Sequence, residues 1–160
     1  MKRYIWPPIL IIFLILAGYA VYSVYYTNRE QAEARQVLER FLQAQNDNDY
    51  QEQLRCLSTI SAKNLEEQRM KFGFIGMAWR YFKINKISLD NSKSEIESYL
   101  THGHGEITRP YKVIIFDVNF EAKFGPHNGG VDGEILKATW KYFLIKEKEN
   151  DPWKVDCYGV

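Results

Sequence analysis

Two histidines stand one residue apart in LTHGHGE, residues 100–106, with Gly103 between them and Gly105 and Glu106 behind. His102 and His104 with Glu106, or with the third histidine, His127, could ligate a metal or move a proton. Histidines at i and i+2 converge only where the backbone is extended or turned. The glycines allow either geometry without imposing it. A catalytic zinc wants three protein ligands in a fixed shell, and a spacing such as HExxH is absent. The stretch therefore reads as a solvated turn whose glycines take unusual backbone angles. His102 and His104 stay as the metal candidates, and no cofactor is expected.

The elements that must position such residues follow from periodicity. Thr27 and Glu30 form a capping box ahead of Ala34, Val37, Leu38, Phe41 and Leu42, which predict an amphipathic helix to about Gln45. Asp49 with Glu52 can cap a second, short helix, and a third begins near Ser61. The period then changes. Residues 80–90 predict a strand with a bulge at Asn85–Lys86, SKSEIESYL a helical turn, and residues 112–124 a long strand. Its apolar face is Ile114, Phe116, Val118, Phe120, Ala122 and Phe124. The glycine-dense GPHNGGVDG predicts a hairpin loop to a partner strand facing inward with Leu136, Ala138, Trp140, Tyr142 and Leu144. In the last strand Trp153, Val155 and Cys157 alternate with Lys154, Asp156 and Tyr158. Helices first, then an antiparallel sheet with one apolar face, make an α+β domain.

Residues 5–26, IWPPILIIFLILAGYAVYSVYY, carry no charge. Their length at 1.5 Å per residue matches about 30 Å of hydrocarbon, and Tyr and Trp flank both ends. They predict a transmembrane anchor rather than a cleaved signal peptide. Lys2 and Arg3 place the N-terminus in the cytoplasm and the domain outside a cell membrane crossed once. The expected division is 1–27 for cytoplasmic stub and anchor and 28–160 for the extracytoplasmic domain. The composition is globular, at 46% hydrophobic and 26% charged. Net charge is +1, with nothing to attract nucleic acid.

VLERFLQAQNDNDYQEQLRCLS, the long strand pair and the closing PWKVDCYGV resemble the NTF2-like superfamily of cone-shaped α+β domains. GHGEITRPYKVIIFDVNFEAKF followed by ATWKYFLIKEKENDPWKVDCYG is similar to a membrane-anchored or lipoprotein family of low-GC Gram-positive bacteria that has no established activity. The resemblance covers about residues 30–160. It implies N-terminal helices packed on a curved antiparallel sheet, with any chemistry inside the cone.

On these registers the interior face holds Phe116, Val118, Phe120, Ala138, Trp140, Tyr142, Val155 and Cys157, with no carboxylate or imidazole. Asp117 and Asp156 fall on the opposite, solvated face. Phe116, Trp140 and Tyr142 are the candidate ligand-binding residues. Cys56 and Cys157 read as separate buried thiols. The expectation is therefore a non-enzymatic membrane-anchored domain binding a protein or small ligand, or assembling as a homo-oligomer. The alternative is a small enzyme using His102 and His104 or the cone interior.

Overall fold

The computed structural model describes residues 6–72, 79–124 and 135–159. The chain divides into two compact units, Met1–Glu33 and Ala34–Val160. Helix α1, Trp6–Asn46, runs through both stretches of sequence without a break. The expected capping box at Thr27 does not form. Thr27 Oγ1 donates to the Ser23 carbonyl four residues back, as a threonine inside a helix does.

The transmembrane anchor expected over residues 5–26 is not supported. Among the described residues no helix is long and apolar enough to cross a membrane. Ile5 and the residues before it lie outside the described residues. The uncharged stretch is not uniformly apolar: Gly18 interrupts its run of Ile and Leu. It also contains Tyr19, Tyr22, Ser23, Tyr25 and Tyr26, and Arg29 follows.

In the second unit, Ala34, Leu38, Phe41 and Leu42 recur at helical spacing and are all buried. The helix ends at the NDND run, where Asn48 takes a left-handed φ of 56°. Asp49 then caps α2, Tyr50–Cys56, by accepting from the Glu52 N–H at 3.0 Å. Helix α3, Thr59–Phe72, begins where Ser58 Oγ accepts from the Ser61 N–H at 3.2 Å.

The sheet has the order β1-β2-β3-β4, antiparallel throughout: β1 Trp79–Asp90, β2 Lys112–Phe124, β3 Leu136–Lys146 and β4 Lys154–Gly159. Register shifts between Ile84 and Lys86, where the bulge was expected. The residues of the GPHNGGVDG loop, His127 among them, lie outside the described residues. The face of β2 read from the alternation is the one that packs: Phe116, Val118, Phe120 and Ala122 are buried with Tyr142, Leu144 and Val155 against Leu38, Phe41 and Leu42.

Between β1 and β2 the chain forms α4, Lys93–His102, and α5, His104–Thr108. LTHGHGE is thus a helix–helix junction, not a solvated turn. Its glycines are there for space and not for unusual angles. Gly103 has an ordinary φ of −106°. A Cβ there would lie 2.8 Å from the Tyr99 carbonyl oxygen, and one at Gly105 would lie 2.5 Å from the Tyr99 ring. Both glycines let the chain fold tightly over Tyr99.

Candidate functional site

The centre of the site is a bulge in β4. Phe143 pairs with Cys157 and Leu144 with Val155, so Asp156 has no partner on β3. An extra residue breaks the two-residue alternation and rotates everything after it. Val155 and Asp156 are in consequence both buried, at 0% and 1% exposure. Beyond the bulge, Tyr158 pairs with Tyr142 and stacks on it with centroids 5.1 Å apart, while Cys157 lies beside Phe143. The expected placement of Asp156 on a solvated face, and of Cys157 in place of Tyr158 on the interior face, is corrected accordingly.

A carboxylate taken out of water costs several kcal/mol unless donors replace the solvent. Asp156 has three. Ser58 Oγ donates to Oδ1 at 2.5 Å, and the Tyr99 hydroxyl donates to Oδ2 at 2.6 Å. His104 Nδ1 lies 2.7 Å from the same Oδ2. The Asp156 backbone carbonyl also accepts from Ser61 Oγ. Each donor reaches the carboxylate for a local reason. Ser58 is drawn to β4 by the Leu57–Val155 bridge and by its own N–H donating to the Val155 carbonyl at 2.8 Å. Tyr99 lies flat on Phe143, 4.6 Å between centroids. His104 opens α5 just after the tight passage at Gly103.

Because a carboxylate only accepts, the hydrogen of this contact sits on His104 Nδ1. Among the described residues nothing bonds Nε2, which in that tautomer of the neutral ring is an acceptor. Burial, followed by the bond to Asp156, raises the Tyr99 hydroxyl far above the ordinary tyrosine range and keeps it a donor. Burial and the neighbouring Asp156 charge push the Cys157 thiol up to about 12.

His104 borders a cavity of about 230 Å³. Its walls are Phe41 and Gln45 of α1, Gln53 and Leu57, one face of α3, and Asp156, Cys157 and Tyr158 of β4. The α3 face consists of Ser61, Asn64, Leu65 and Gln68, spaced i, i+3, i+4, i+7 so that all four point one way. Gln45 Nε2 donates to the Tyr158 hydroxyl at 3.3 Å, but Gln45 Oε1 is buried without a partner among the described residues. An acceptor left so costs about 1–3 kcal/mol.

The residues singled out from sequence fare differently. Tyr142 and Phe116 are buried in the core and Trp140 partly so, where Trp140 meets Phe120 and Tyr158. None of the three lines the cavity. His102 ends α4 exposed, its Nδ1 2.7 Å from Thr101 Oγ1, and does not join His104. Among the described residues no three of His, Cys, Asp or Glu gather as metal ligands. Asp117 keeps the face expected of it, with Lys141 Nζ 3.3 Å away. Sequence reasoning missed Asp156, Tyr99, Ser58, Gln45 and Tyr158. The one available signal was Tyr158 itself, an aromatic that strict alternation would have left outside.

An α+β domain with a polar cavity between its first three helices and an edge strand is the class these features define. The chain belongs to the family described as a domain of unknown function (DUF4829), which matches residues 35–159. No curated protein and no solved structure matches it.

Proposed function

We propose that this domain, a variant of the NTF2-like cone, binds a small molecule in the cavity beside His104. The carrying observation is the His104–Asp156 contact. A fully buried carboxylate fixes one nitrogen of an imidazole and leaves the other uncommitted at the edge of a polar cavity. Helices packed on one face of an antiparallel sheet support the NTF2-like assignment. A small ligand is preferred to a protein partner because Gln45 and His104, each with an atom that has no partner among the described residues, line a concavity.

The same contact favours a second reading, proton transfer. An imidazole oriented by a carboxylate is a general base or acid once a substrate stands at Nε2. The two readings separate in one experiment: native mass spectrometry of the full chain and of His104→Ala after incubation with a cell extract. A small molecule held by the wild type and lost or weakened in the variant supports binding. A molecule held unchanged by the variant but converted only by the wild type supports proton transfer. Identical spectra, with nothing held by either, would contradict both.

A further inference from the structure

From the lining of this cavity we infer the class of its ligand: a small uncharged molecule rich in hydroxyl or amide groups. The inference rests on reading the cavity as a ligand site. No lysine or arginine is among the lining residues, so an anion finds no fixed countercharge there. The one carboxylate, Asp156, has a side chain at 0% exposure and both oxygens already accept, from Ser58, Tyr99 and His104. A cation would have to displace those donors.

What remains uncommitted is a mixture of neutral acceptors and donors. Gln45 is more than nine-tenths buried, and its amide is half satisfied: one end meets Tyr158 and Oε1 meets nothing among the described residues. Gln53 gives its Nε2 to the Ala44 carbonyl at 3.2 Å, which leaves its Oε1 as the end still to be used. In the neutral ring, His104 Nε2 accepts in the tautomer that Asp156 imposes. Asn64 and Gln68 add two further amides from α3, each both acceptor and donor, and the Tyr158 hydroxyl keeps its own hydrogen to donate. Leu57, Leu65, Phe41 and Tyr158 supply apolar wall between these groups. Neutral acceptors and donors set among apolar surface suit a compact polyol or a sugar-like ring, whose hydroxyls both donate and accept while its carbons pack.

The test uses the full chain and four probes: glycerol and D-glucose as uncharged hydroxyl compounds, acetate as anion, tetramethylammonium as cation. The readout is the side-chain amide resonances of Gln45, Gln53, Asn64 and Gln68, followed as each probe is titrated. The neutral probes are expected to move these resonances in a saturable way and the ions not to. Gln45→Met, which keeps the length and removes the acceptor, should weaken the glucose response about tenfold or more. Gln68→Met provides a second variant from a different helix should the first fail to fold. Saturable binding by acetate or tetramethylammonium, sensitive to Gln45→Met, would overturn the ligand class and leave the cavity a ligand site. No saturable response to any probe would overturn the class and remove support from the site together.

Discussion

Asp156 is the residue on which most of this account depends, and its predictions can be checked without knowing the ligand. Replacement by Asn keeps the shape but turns an acceptor-only group into one that presents hydrogens to donors. Asp156→Asn should therefore cost about 3 kcal/mol in urea unfolding, as expected when one partner of a buried charged network is altered. A carboxylate on a solvated face would cost within about 0.5 kcal/mol. Cys157 offers a second check. Its thiol is pushed up to about 12, so little thiolate exists near neutral pH. Burial raises the Cys56 thiol as well. Both should alkylate with iodoacetamide much more slowly in the folded protein than in urea, read by mass spectrometry.

At the scale of elements, the α4–α5 junction is defined by how closely it wraps Tyr99. Gly105→Ala sets a methyl against the Tyr99 ring and should destabilise by about 1–3 kcal/mol. It should also disturb the His104–Asp156 contact, because Tyr99 and His104 share one carboxylate oxygen. A solvated turn would accept the methyl without loss, so thermal unfolding of this variant discriminates directly. Helices and strands were largely legible in the sequence because their periods are physical. The buried faces of β2 and β3 and the bulge near Asn85 could be read from alternation and its interruption. The site was not legible for two reasons. A single added residue in β4 inverts the face of every residue after it, and within KVDCYG only the aromatic Tyr158, out of step with the alternation, signals it. The glycines of HGHG mark close approach as readily as turning, and only the position of Tyr99 decides between them. The capping box failed because a helix already running through Thr27 has no free N–H groups there to cap.

At the scale of the whole domain, charge couples the sheet to pH. Lys141 reaches Asp90 at 2.5 Å and Asp117 at 3.3 Å, joining β1, β2 and β3. The bond from Lys141, assisted by the Ser92 N–H, lowers the Asp90 pKa below its ordinary 3.8. A lowered folded-state pKa stabilises above the unfolded value, and that stability is lost as pH falls through the folded one. Asp90→Asn should therefore flatten the acid limb of stability, by no more than about 1 kcal/mol for a partly exposed pair. Denaturation midpoints across the acid range would read it. The bulge turns Asp156 inward, and Asp156 holds His104 in one tautomer at the cavity edge. The most direct measurement is the pair of ring nitrogen shifts of His104, recorded by long-range proton–nitrogen NMR at a pH high enough to keep the ring neutral. Hydrogen on Nδ1, a bare Nε2, and loss of that preference in Asp156→Asn are expected. Hydrogen on Nε2, or a ring indifferent to Asp156→Asn, would contradict this arrangement.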